Sequence, residues 1–152
     1  MFSLNVYSLL LEKYLKIKSN KKTFLKDQLT QKIGVLMRRE TEVRILIPFL
    51  EELYKEFSKE KILNILEATI KQIAKTEGEE LSREYGNNVD SFLNTLKFWM
   101  KDDALEIDIL EKSDVKLNFD VKRCKYAEMY TALGVSDLGA VLSCNRDASL
   151  IE

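Results

Sequence analysis

KDDALEIDILEKSDVKLNFDVK, residues 101–122, is where the rhythm of the chain changes. Leu105, Ile107 and Ile109 alternate with Glu106 and Asp108. Past the turn Lys112-Ser113-Asp114, Val115, Leu117, Phe119 and Val121 alternate with Lys116, Asn118, Asp120 and Lys122. Successive side chains of a strand point to opposite faces, so a period of two with one apolar set marks two half-buried strands. The short turn makes them an antiparallel ribbon. A ribbon of two strands is marginal alone and presents two open edges. Further strands are expected at those edges, from another subunit or from a chain continuing past residue 152.

Upstream the period is that of a helix. Val6, Leu10, Tyr14 and Ile17 form one face of a first helix, ended by the polar patch Lys18 to Lys22. Leu25, Leu29, Ile33 and Leu36 mark a second, with Arg38 and Arg39 near its end, where cations favour the C-terminal dipole. Val43, Leu46, Leu50, Leu53 and Phe57 mark a third, which Pro48 either kinks or begins. Ser58 is placed to cap a fourth, carrying Ile62, Leu66, Ile70 and Ile73 on to Tyr85, although Gly78 in mid-pattern argues against one unbroken helix. Gly86 with Asn87 and Asn88 marks its stop and the next cap, and Val89, Phe92, Leu96 and Trp99 make a fifth.

Downstream of the ribbon a short helix is expected from about Cys124 to Leu133, closed by Gly134, then another capped by Ser136 and running to about Ser143. The expected class is α+β and mainly α: about five N-terminal amphipathic helices, a two-stranded antiparallel ribbon and two short helices. One domain over 1–152 is expected, with 1–101 as a helical layer and 102–152 as the ribbon and short helices.

Composition narrows the chemistry. In 152 residues, 45% hydrophobic side chains are ample for a core. Lys and Arg total 24 against 25 Asp and Glu, a net charge of -1, so the basic excess of a nucleic-acid binder is missing. Histidine is absent, which excludes Ser-His-Asp triads, Cys-His pairs and His-ligated metals. Two cysteines are too few for a disulfide framework or a zinc site, and no cofactor is expected. The N-terminal stretch MFSLNVYSLLLEKYLK lacks a basic leader region and a cleavage site, and no window is apolar enough to span a membrane. A cytoplasmic location is the default expectation, with a small-molecule substrate and neither nucleic acid nor membrane as partner.

Without histidine, a carboxylate is the natural general base and a cysteine the natural nucleophile. Cys124 and Cys144 are the candidates, with Arg123 and Arg146 as neighbouring cations able to lower a thiol pKa. Either cysteine is equally readable as a small buried hydrophobe. Asp147 is the candidate base or an ordinary loop carboxylate, and Arg123 and Arg146 are substrate clamps or surface ion pairs. Tyr126 and Tyr130, one turn apart, fit a core stripe better than a substrate wall. Asp102-Asp103 reads as a helix stop before it reads as a metal site.

Residues 117–147, LNFDVKRCKYAEMYTALGVSDLGAVLSCNRD, carry the most specific pattern. Phe119, Val121, Arg123-Cys124, Tyr126-Ala127-Glu128-Met129-Tyr130, Leu133-Gly134, Leu138-Gly139 and Cys144-Asn145-Arg146-Asp147 together resemble the L-2-amino-thiazoline-4-carboxylic acid hydrolase family. The resemblance implies hydrolysis of a cyclic amidine carbon–nitrogen bond. It also implies a strand-rich continuation with a Gly…Cys-Asp segment, so residues 1–152 alone are expected to be weakly active or inactive. The expected roles are Cys144 as nucleophile or contact to the amidine carbon and Asp147 as proton handler. Arg123 is expected on the substrate carboxylate, with Cys124, Tyr126, Asn145 and Arg146 lining the pocket. The competing expectation is a non-catalytic helical interaction or dimerisation module. In either case the open edges and apolar stripes predict a homo-oligomer.

Overall fold

A computed structural model of the chain describes residues 28–151. The expected first helix, and Leu25 of the second, lie outside the described residues. In chain order the elements are α1 (Gln28–Glu56), α2 (Lys59–Tyr85), α3 (Val89–Trp99), β1 (Leu105–Lys112), β2 (Leu117–Cys124), α4 (Lys125–Ala132), α5 (Ser136–Gly139) and α6 (Asn145–Ile151). A one-turn 3-10 segment, Lys101–Asp103, precedes β1, and a π-helical turn, Ala140–Cys144, joins α5 to α6. The class is α+β and mainly helical. No helix among the described residues is long and apolar enough to cross a membrane.

The boundary expected between the second and third helices falls elsewhere. The chain breaks at Gly34 (φ 75, ψ 168) and then stays helical to Glu56, through Pro48. Glycine takes that left-handed φ without a Cβ penalty, and a Cβ there would also sit 3.2 Å from the Lys101 side chain. Pro48 neither starts nor breaks the helix. Arg38 and Arg39 therefore lie near the start of the segment after Gly34, where the helix dipole disfavours cations. Carboxylates hold them instead, as described below.

Ser58 caps α2 as expected, its hydroxyl accepting from the Lys61 amide, and α2 runs unbroken through Gly78. A Cβ on Gly78 would lie 2.1 Å from the Leu150 carbonyl oxygen, so this glycine lets α2 and α6 touch backbone to backbone. Gly86 ends α2, and the Asn88 side chain accepts from the Ser91 amide at 2.9 Å to start α3. Phe92 and Trp99 meet edge to face on α3, ring centroids 6.1 Å apart.

The ribbon pairs antiparallel, with Leu105 opposite Cys124, Ile107 opposite Val121 and Lys112 opposite Leu117. Register shifts at Glu106/Ile107 and Ile109/Glu111 interrupt the strict alternation, because a bulge places two residues against one. Val115 lies in the turn, 91% exposed, so it does not belong to the apolar face. Ile107, Leu117 and Phe119 are half-buried, while Ile109, Leu110 and Val121 face solvent.

Helix α4 ends in a Schellman arrangement: Val135 N–H donates to the Tyr130 carbonyl at 2.9 Å and Gly134 N–H to Thr131 at 3.0 Å. Ser136 does not cap the next helix. Val135 occupies the cap position, and the Ser136 hydroxyl meets Thr131 Oγ1 at 3.2 Å. The helical path also passes the expected stop at Ser143 and continues to Ile151. The core joins Val43 and Leu50 of α1 to Tyr130, Leu138 and Leu142, with Ile62, Leu66 and Ile70 of α2 packed against them. It therefore lies between the long helices and the C-terminal helical run, with the ribbon outside it.

Candidate active site

The C-terminal run presents one face inward. Gly139, Ala140, Ser143, Cys144, Asp147 and Leu150 repeat at near-helical spacing, and all line one cavity of about 480 Å³. The π turn shifts the helical register by adding a residue to one turn, and such turns recur at functional sites. Cys144 is its last residue, so the thiol and the first turn of α6 reach the same space. Helix α1 supplies Arg38 and Arg39 to the opposite wall, α2 supplies Glu77, Glu80 and Glu84, and α4 supplies Tyr126 and Tyr130. The ribbon contributes only its base, Leu105 and Cys124. The site thus lies between helices, with the ribbon at its margin.

Asp147 is the unusual group. Its carboxylate makes no hydrogen bond or ion pair with any described residue, although it is only partly exposed. Burial pushes its pKa up to about 6, against the opposing pull of Arg146 and Arg39. A carboxylate that is half protonated near pH 6 is well matched to proton transfer at neutral pH. Tyr126, whose hydroxyl donates to the Trp99 carbonyl at 2.9 Å, is also pushed up by burial. Tyr130 meets Ser143 Oγ at 3.1 Å and forms a wall of both core and cavity.

Cys144 is exposed into this space and Cys124 half-buried, so both thiols reach one cavity. The Cys144 thiol is raised, first by burial and then by the charges of Asp147 and Cys124. The expected lowering by a neighbouring cation does not occur there, because Arg146 is turned to Glu77. Cys144 should accordingly alkylate more slowly at pH 7.5 than an accessible free thiol, since each unit of pKa shift removes about tenfold of the thiolate. Iodoacetamide labelling read by mass spectrometry checks this. Labelling faster than free glutathione would contradict it.

Of the residues singled out from sequence, Cys144, Asp147, Cys124, Tyr126 and Arg146 come together in the cavity. Arg123 and Asn145 do not line it. Arg123 forks onto Glu128 in solvent, at 2.8 and 2.9 Å, and Asn145 reaches Glu67 at 3.4 Å. Sequence reasoning missed Arg38, Arg39 and Glu77. One signal was present for Arg39: it continues the Val43, Leu46, Leu50 stripe backwards by four residues, placing a charge on an apolar face.

A half-buried carboxylate with no partner among the described residues, two thiols and two buried arginines line this one cavity. A sequence model of the L-2-amino-thiazoline-4-carboxylic acid hydrolase family matches residues 38–152, and the chain belongs to that family. The matched span contains α2 to α6, the whole ribbon and Arg38 and Arg39 of α1. No curated protein and no solved structure matched the chain.

Proposed function

We propose that this protein is a small-molecule hydrolase that opens a cyclic amidine at its carbon–nitrogen bond, with Asp147 as the general base. The observation that carries the reading is the Asp147 carboxylate, half-buried at the cavity wall with no partner among the described residues and raised to about 6. A water between Asp147 and the ring loses a proton to the carboxylate as its oxygen bonds to the amidine carbon. The Asp147 proton passes to the ring nitrogen as the carbon–nitrogen π bond opens. The adduct's hydroxyl then returns a proton to Asp147 as its carbonyl forms, the ring carbon–nitrogen bond breaks, and that second proton passes to the departing nitrogen, which leaves as the amine. Cys144 lies three residues before Asp147 on the same wall, and its raised pKa keeps it a neutral thiol. It therefore serves as a contact to the amidine carbon in preference to a thiolate nucleophile. Cys124 and Tyr126 close the site around the ring.

Incubation with L-2-amino-thiazoline-4-carboxylic acid, followed by chromatography of the carbamoyl product, tests the reading. The natural full-length protein is the one to assay: product formation dependent on Asp147 supports the reading, and no product over the solution background refutes it.

A helical interaction module is the second reading, and one observation favours it. Met37, Ile45 and Phe49 follow one face of α1 at 54%, 71% and 59% exposure, an apolar stripe that no described residue covers. Self-association through such stripes is compatible with either reading. Light scattering at high micromolar concentration is expected to give a mass above that of the 17.7 kDa chain. A monodisperse monomer would remove this support.

A further inference from the structure

The cavity holds an arrangement of charge that the hydrolytic step does not use. Arg39 and Arg146 are 7% and 5% exposed, and both line the cavity. A buried guanidinium is costly unless its donors are met. Among the described residues Arg39 is bonded through Nη1 to Glu42 alone, and Arg146 through Nη2 to Glu77. Neither glutamate is theirs alone, because Arg38 Nε also reaches Glu42 at 2.9 Å and Arg38 Nη2 reaches Glu77 at 3.5 Å. Glu42 and Glu77 are thus each shared between two guanidinium groups.

Arg39 and Arg146 also lie within each other's field, and that repulsion adds to the burial of Arg146. An anion between them would relieve both costs. Asp147 feels both arginines yet bonds to neither. Glu80 and Glu84 also line the cavity, but they sit about 5 and 10 Å further along α2 than Glu77. The remaining Arg39 donors, Nε and Nη2, form the planar edge that matches a carboxylate.

We propose that Arg39, with Arg146 beside it, binds the carboxylate of the substrate and so sets the preference for carboxylated rings. This rests on the hydrolase reading above for the identity of the ring, but not for the presence of the anion site. It also moves carboxylate recognition from Arg123, whose fork is already closed by Glu128, to the buried wall of α1.

The test is the ratio of kcat/KM for L-2-amino-thiazoline-4-carboxylic acid to that for 2-amino-2-thiazoline, the same ring without the carboxylate. Within one preparation this ratio does not depend on the fraction of folded protein. It is expected to fall about 100-fold in Arg39→Gln and about tenfold in Arg39→Lys, while Arg123→Gln leaves it at the wild-type value. An unchanged ratio in the Arg39 variants, or a fall in Arg123→Gln matching theirs, overturns the assignment.

Calorimetry reads the same contact without turnover, using thiazolidine-4-carboxylate, which carries ring and carboxylate but no amidine. The wild type is expected to bind it about tenfold or more tightly than Arg39→Lys does, and to bind thiazolidine itself far more weakly. Equal affinities in either comparison overturn the assignment. If the wild type binds thiazolidine-4-carboxylate in this pattern but hydrolyses nothing, the hydrolase reading fails while the anion site stands.

Discussion

Asp147→Asn is expected to lower kcat for ring opening by about 10²–10⁴-fold, the range of a lost general base. The variant is nearly isosteric, so the cavity keeps its shape. In the wild type, kcat/KM should fall as pH drops through about 6, where Asp147 takes up a proton, and should level off above it. The same residue has the opposite effect on stability. Its folded pKa is raised above the unfolded value, so its contribution is fully present below the unfolded pKa. That contribution is lost as pH rises through about 6. Asparagine carries no such loss, so at pH 7–8 the variant should be more stable than the wild type by up to about 3 kcal/mol. Paired denaturation curves at pH 4.5 and pH 7.5 check the sign. An inactive variant no more stable at pH 7.5 than the wild type would contradict the raised carboxyl, and a fully active one would exclude Asp147 as base.

Gly78→Ala is expected to destabilise the fold. In an ordinary helix interior the change would stabilise by about 1 kcal/mol, because alanine has the higher helix propensity. Here the new methyl would meet Leu150 backbone atoms, the oxygen at 2.1 Å and the carbonyl carbon at 3.0 Å, and backbone cannot swing aside. Helices α2 and α6 must separate, at a cost of about 1–3 kcal/mol beyond the propensity gain. The separation displaces the helix that carries Arg146 and Asp147, and misplacement of that order can cost about 100-fold in turnover. Urea denaturation and the product assay read the two effects together. A Gly78→Ala protein more stable than the wild type would show that the helices do not approach as described.

Much of this protein is legible in its residues taken in order. The 3.6-residue stripes of Val43 to Leu53 and Ile62 to Ile73, the caps at Ser58 and Asn88, and the Gly86 and Gly134 stops all act within a few residues of chain. The change of period after Asp103 is just as local, and it settles the ribbon. The motif residues Cys124, Tyr126, Cys144 and Asp147 stand out because their types carry chemistry and histidine is missing. Local rules misplace what depends on distant contact. Gly34 breaks α1 where Lys101 packs against it, and Gly78 stays helical because Leu150 fills the space a side chain would need.

The site divides in the same way. Sequence order determined which groups were available, namely two thiols, a carboxylate for a base and arginines on either side of them. Only the tertiary structure decided which of them meet. It turned Arg123 out to Glu128 and Asn145 to Glu67, and it brought Arg39 across from α1, more than a hundred residues away in the chain. The reason is that a pKa or a binding contact depends on distance and burial, and those arise from the packing of α1 and α2 on the C-terminal run. Asp147 is an ordinary aspartate in the sequence; its burial at the cavity wall, which only the packing of the helices produces, raises its pKa to about 6.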